Sequence, residues 1–321
     1  MNLPALLPHT FLAWLLFVNP LSGVVKQQTM PQQNKEPLSG GTLSLQQRAE
    51  NGDSEAAYKL GRQYMNESPV PPNYEEAAKW FKVGAQGGFA DAELALGYLY
   101  EQGKGVARDY AQAMIYYTAA AKQGDSAAEN NLGSMYARGE GVPRDAIAAA
   151  KWYRASADHG NVIAQCNLAS QYLLGIGAVQ DYSQAAHWFR AAADRGFAPA
   201  QDNLASLYFT GKGVPPDVAE AAKWVRLAAG QGYARAQTDL GYLYEQGKGV
   251  HLDYVQAYAW YSLAKAGGDQ RADARMRDLS RVMTSRQKTE AKERALQTGR
   301  TLRPNKGAAL SAFESALAPI Y

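Results

Sequence analysis

The sequence predicts an all-α fold made of one helix pair used six times, and three observations carry that prediction. The same letters return every 36 positions without insertion, each unit holds two stretches with apolar residues three and four apart, and a glycine-rich turn joins the two. Leu60, Leu96, Leu132, Leu168, Leu204 and Leu240 form one series, and Tyr64, Tyr100, Tyr136, Tyr172, Tyr208 and Tyr244 a second. Ala56, Ala92, Ala128, Ala164, Ala200 and Ala236 start the units, and Gly88, Gly124, Gly160, Gly196, Gly232 and Gly268 close them. Trp80, Trp152, Trp188, Trp224 and Trp260 share a further series, broken by Tyr116.

Within a unit, Ala56, Leu60 and Tyr64 lie at i, i+4 and i+8, one stripe of a first helix, helix A. Ala77, Phe81, Gly84 and Ala85, with Trp80, repeat the rule for a second, helix B. The small residues let backbones approach, and the Trp fills the space between neighbouring units. Between the helices stands Gly103-Lys-Gly105-Val106, echoed at Gly139, Gly211 and Gly247. Glycine just past a helix supplies a left-handed cap. Asp109, Asp145, Asp181, Asp217 and Asp253 then stand where helix B needs an N-cap.

These residues resemble the Sel1-like repeat family, a relative of the tetratricopeptide repeat, over about residues 53 to 268. The shared pattern is Ala-x-x-x-Leu-Gly-x-x-Tyr-x-x-Gly-x-Gly-Val, then Asp-Tyr-x-x-Ala-x-x-Trp-Tyr-x-x-Ala-Ala-x-x-Gly. The resemblance implies a right-handed α-solenoid of six repeats, spanning 51–268, with capping helices over 269–300. The first unit departs most, with Glu67 and Pro69 in place of the loop glycines and Pro71-Pro72 after them, as suits a terminal repeat.

On the N-terminal side, the apolar run from Phe11 to Val18 has the length of a secretory signal core and is too short to span a bilayer, so residues 1–25 read as a signal peptide. Residues 26–50, rich in Gln, Lys, Pro, Ser and Gly, read as a disordered linker. Beyond Gly268, a charged helix is expected over about 269–283. Thr284 and Gln287 have capping-box spacing for another that runs to about Leu296. Residues 301–321 read as a flexible tail, in which Leu310, Phe313 and Leu317 nonetheless fall on one helical face.

Composition narrows the function. A chain of 321 residues, 46% hydrophobic and 20% charged, buries a large core. Its net charge of +3 is too small for a phosphate-binding stripe, and the excess sits in residues 269–306, with eleven Lys and Arg against five Asp and Glu, so no nucleic-acid partner is expected. One cysteine, Cys166, excludes a disulfide framework. It reads as a small surface filler, because no His lies near it in the motif. No two of the four histidines are spaced to share one helix face with a carboxylate, so no metal is expected, nor any cofactor. Ser262-Leu-Ala-Lys265 matches the Ser-x-x-Lys pair of penicillin-recognising enzymes, but the partner motifs are missing, and the chain reads as no enzyme.

If the recurring stripe of helix A is core, half a turn further round lies an open face. That rule selects Tyr58 and Arg62; Leu94, Tyr98 and Glu101; Asn130 and Ser134; Ser170 and Leu173; Asp202, Ser206 and Phe209; and Thr238, Tyr242 and Glu245. These letters vary between units. In solenoids of this type the A helices line the concave surface, so the set is expected to bind a protein partner. The N-terminal apolar run implies an exported, periplasmic or secreted protein with no stable membrane span once mature. Two roles follow from the resemblance: an immunity protein that neutralises a phospholipase toxin delivered by type VI secretion, or a scaffold or virulence adaptor in assembly of envelope or secretion complexes. Binding of β-lactams or peptidoglycan fragments is the enzyme-like alternative.

Overall fold

Ala92 to Leu99 are eight successive buried residues in the middle of a helix, and that continuous burial is the mark of how this chain stacks. The computed structural model describes residues 43–65 and 71–302, and within them the only regular elements are fifteen helices. The signal peptide, residues 26–42 of the linker, Glu67 and Pro69 of the first loop and the tail from residue 303 lie outside the described residues.

Helix α1 (Leu45–Glu50) precedes the repeats. It opens on a capping box between Ser44 and Gln47, so the last residues expected to be linker are helical. The repeats then follow as A and B helices in alternation: α2 (Ser54–Met65) with α3 (Tyr74–Gln86), α4 (Ala90–Gln102) with α5 (Tyr110–Lys122), α6 (Ser126–Arg138) with α7 (Ala146–Asp158), α8 (Val162–Leu174) with α9 (Tyr182–Asp194), α10 (Ala198–Thr210) with α11 (Val218–Gly230), and α12 (Ala234–Gln246) with α13 (Tyr254–Ala266). Two capping helices close the array, α14 (Arg271–Val282) and α15 (Ser285–Thr301). The Thr284 and Gln287 capping box starts α15, which runs five residues past the expected end at Leu296, to Thr301.

The turn chemistry acts as the sequence implies. Gly103 takes a left-handed conformation at φ 67° as the C-cap of α4, and its N–H donates to the Leu99 carbonyl. A β-carbon on Gly105 would come within 2.1 Å of the Tyr74 carbonyl oxygen, so that position is glycine for lack of room as well. Asp109, Asp145, Asp181, Asp217 and Asp253 each accept from backbone N–H groups in the first turn of the B helix that follows.

By contacts the chain divides into two compact units, 43–164 and 165–302 of the described residues, the division falling inside α8. In the first, Ala56, Ala57 and Leu60 pack with Ala49 of α1; Phe81, Leu96 and Leu99 form a second cluster, and Tyr117, Leu132 and Met135 a third. In the second, Tyr261 and Ala264 pack on Ala272, Leu279, Met283 and Ala291, which is how the charged helices α14 and α15 are held. The Trp series is uneven: Trp188 and Trp224 are buried, whereas Trp80, Trp152 and Trp260 are half-buried. Where Tyr116 breaks the series, it stacks on Tyr100 with centroids 5.7 Å apart.

Candidate functional site

Six residues expected on an open face of helix A keep partial exposure: Arg62, Ser170, Ser206, Phe209, Tyr242 and Glu245. The other nine are buried, which corrects the expectation of exposure for them: Tyr58, Leu94, Tyr98, Glu101, Asn130, Ser134, Leu173, Asp202 and Thr238. The physical reason is that an A helix packs on its own B helix and is also bridged to the next A helix, so half a turn from the core stripe is another interface. Tyr58 is enclosed by the rings of Phe81 and Phe89. The ammonium of Lys104 lies over the rings of both Tyr98 and Tyr74. The Ser134 hydroxyl lies 3.2 Å from the Tyr153 hydroxyl. Thr238 donates to Asp269 at 2.7 Å, and Ser170 to the Cys166 carbonyl at 2.9 Å.

Charged side chains make several of these bridges. Glu101 of α4 accepts from the Tyr117 hydroxyl at 2.6 Å and from Arg138 of α6 at 2.9 Å. Burial nonetheless holds its carboxyl above the usual range, and the two donors pull the other way. Glu245 of α12 repeats the pattern, accepting from Tyr261 at 2.5 Å with Arg275 of α14 at 3.8 Å.

Asp202 of α10 pairs with Arg235 of α12 at 2.9 Å, and Asp239 of α12 with Arg271 of α14 at 3.1 Å. The carboxyls of Asp202 and Asp239 also face one another. Burial first, and the Asp202 charge second, raise the Asp239 pKa to about 7 against the pull of Arg271 and Arg235. One, two and three periods earlier at the Asp239 position stand Asn203, Asn167 and Asn131, and Asn203 bonds to Cys166 across α8 and α10. A protonated Asp239 can donate as an asparagine amide does. This recurring amide was legible in the sequence as a 36-residue series and was missed because it sat beside the more conspicuous Leu.

Cys166 is wholly buried rather than a surface filler, and burial pushes its thiol up to about 12, so it stays a thiol at neutral pH. Ser262 donates to the Tyr258 carbonyl at 2.8 Å, and Lys265 pairs with Asp273 at 2.6 Å, so each member of the Ser-x-x-Lys match is engaged elsewhere. Among the described residues no group of three His, Cys, Asp or Glu is placed to hold a metal ion.

What stays reachable is concentrated in the second unit. Ser206 and Phe209 of α10 and Tyr242 of α12 line a cavity of about 30 Å³, with Asp202 and Asp239 among its walls. That volume takes one or two waters. Lys248, in the turn after α12, lies 5.2 Å from the Phe209 ring and 5.4 Å from the Tyr242 ring, and Arg275 lies 5.0 Å from the latter. Two half-buried aromatics, two cations over them and the Glu245 carboxylate 3.8 Å from Arg275 form an amphipathic patch. The patch offers ring faces to apolar or cationic groups, and Lys248 and Arg275 to carboxylates.

Helix pairs in tandem, bridged from one A helix to the next, define a helical repeat scaffold. Six consecutive stretches match the Sel1 repeat: 54–89, 90–125, 126–161, 162–197, 198–233 and 234–269. They cover two thirds of the chain, which belongs to the Sel1 repeat family, an α-solenoid class whose repeats mediate protein–protein interaction. No curated protein matches the chain by sequence. Among solved structures it is similar to a Sel1 repeat protein from Oxalobacter formigenes, with 29% identity and TM-score 0.61 over 66% of this chain and 85% of that one. It also matches c5321, a protective antigen of uropathogenic Escherichia coli with an SLR fold, at 24% identity and TM-score 0.36 over 84% and 88% of the two chains. A third match is the immunity protein Pa5087 of Pseudomonas aeruginosa, at 18% identity and TM-score 0.43 over 67% and 81%.

Proposed function

We propose that this chain is an exported, non-enzymatic Sel1 repeat protein that binds one protein partner through the Phe209 and Tyr242 patch. The observation that carries the reading is the placement of Ser206, Phe209, Tyr242 and Glu245 on successive A helices: they keep partial exposure while nine neighbours in the same set are buried. Aromatic and arginine side chains at the centre of a patch are the residue types that supply most of the free energy in protein interfaces. Export rests on the apolar run from Phe11 to Val18. No helix among the described residues is long and apolar enough to cross a membrane. In its specific form the proposal is an immunity role, the partner being a phospholipase toxin delivered by type VI secretion. That role is drawn from the family resemblance in the repeat motifs.

The test captures partners on the tagged full chain from envelope and secreted fractions, beside Phe209→Ala/Tyr242→Ala. A phospholipase bound at one-to-one stoichiometry by the wild type, lost with the double variant and inhibited in activity, supports the proposal. A set of envelope components in its place means a scaffold, and equal recovery by both chains removes the patch from the reading. Fusion of residues 1–25 to a reporter that is active only after export tests localisation, and an inactive reporter would sink that part.

A further inference from the structure

The second unit holds a groove of about 720 Å³ between α13 and α15, lined by apolar Leu263, Ala295, Leu296 and Leu302, with Lys292 and Arg300 among its walls. Leu296 is 65% exposed there, more than a large aliphatic side chain on a packed helix needs to be. The groove also marks where a repeated bond runs out. Glu93 accepts from Gln123 at 2.8 Å, Glu129 bonds His159 at 2.9 Å, and Gln201 accepts from Gln231 at 2.8 Å, each partner thirty residues on. The next acceptor, Gln237, meets Gly267 at that place, which has no side chain to donate. Both residues line the groove, and the buried Gln237 Oε1 has no donor among the described residues.

We propose that the groove is occupied by residues 307–321 of the same chain. The chain leaves the described residues at Leu302, which is itself part of the groove wall. The eight residues from there to Leu310 reach about 28 Å, and α15 is about 26 Å long, so Leu310 can return to any point along it. Leu310, Phe313 and Leu317 are spaced i, i+3 and i+7, one apolar stripe. The sole charged residue of 307–321 is Glu314, opposite in sign to Lys292 and Arg300, neither of which is ion-paired among the described residues. The segment's N–H and hydroxyl groups, from Ser311 and Ser315 among others, supply the donor that Gln237 lacks.

The experiment uses the full chain in two forms. In Leu296→Cys/Phe313→Cys, oxidised gently with Cys166 buried and out of reach, a disulfide within one chain is expected, read as a faster monomer band on a non-reducing gel. Val179→Cys/Phe313→Cys, whose first site is exposed in the turn between α8 and α9, is the control and should stay reduced. In Leu310→Ser/Phe313→Ser/Leu317→Ser, amides of residues 292–302 should exchange with deuterium about tenfold faster than in the wild type. A reduced pair together with unchanged exchange overturns the proposal. A disulfide-linked dimer overturns it too, since a second copy would then fill the groove.

Discussion

Gly97 lies flat beneath the ring of Tyr117: a β-carbon at 97 would stand 2.7 Å from the ring Cδ1. Gly133 under Tyr153 and Gly241 under Tyr261 repeat the fit. The glycine lets the B-helix ring settle on helix A and brings its hydroxyl to an A-helix acceptor, Glu101 in the first case and Glu245 in the last.

Alanine at 97 therefore gains about 1 kcal/mol of helix propensity and meets an overpacking cost of about 1–3 kcal/mol. Gly97→Ala should lower Tm. Gly230→Ala, at the end of α11 with open space around it, should raise Tm by the propensity effect alone. Thermal melts of the two variants should differ in sign, and a gain at both positions would contradict the packing account.

Tyr117→Phe removes a donor from a buried carboxylate and should cost about 1–3 kcal/mol in denaturant unfolding. Tyr153→Phe removes a bond to the neutral Ser134 hydroxyl, and charge-assisted bonds are roughly twice as strong as neutral ones, so its loss should be about half as large. Equal losses would mean that the Glu101 bond carries no special weight.

Asp239 gives a pH dependence whose sign follows from its raised pKa. The folded state holds the proton more tightly than the unfolded chain, so the stability this group contributes is present at acid pH and is lost as pH rises through the folded value. The charges that face it are Asp202 on α10, Arg235 on α12 and Arg271 on α14. Asp239→Asn keeps the donor at all pH values, as Asn203 does one repeat earlier. The variant's stability relative to wild type should increase between pH 5 and pH 8, in unfolding series at matched ionic strength, and a flat difference would show that no proton is held there.

Trp188→Ala opens a cavity in the second unit and should cost about 3–5 kcal/mol. Tyr98→Ala belongs with it: at 2% exposure that ring is a packing residue, so its loss should appear in Tm rather than in partner affinity.

The repeat, its caps and its turns were legible because each rests on local chemistry: a period of 36, glycine at a left-handed C-cap, aspartate at an N-cap. Which positions of helix A stay exposed was only partly legible. Periodicity tells which residues of a helix share a side, but not how many sides are covered. Tyr98 and Tyr242 stand at the same place in their repeats, yet one is enclosed and the other lines an opening, and that difference is set by neighbours one repeat away. Cys166 failed for the same reason, since its position is occupied by Asp202 and Thr238 in later repeats and looks polar until the adjoining A helix is in place.

The most direct test of the central claim is calorimetric titration of the captured partner into the full wild-type chain and into Phe209→Ala/Tyr242→Ala, with melting curves recorded for both. The account predicts binding weakened by at least about tenfold, or 1.4 kcal/mol, with the two melting temperatures close together. Unchanged affinity in a folded variant would contradict it.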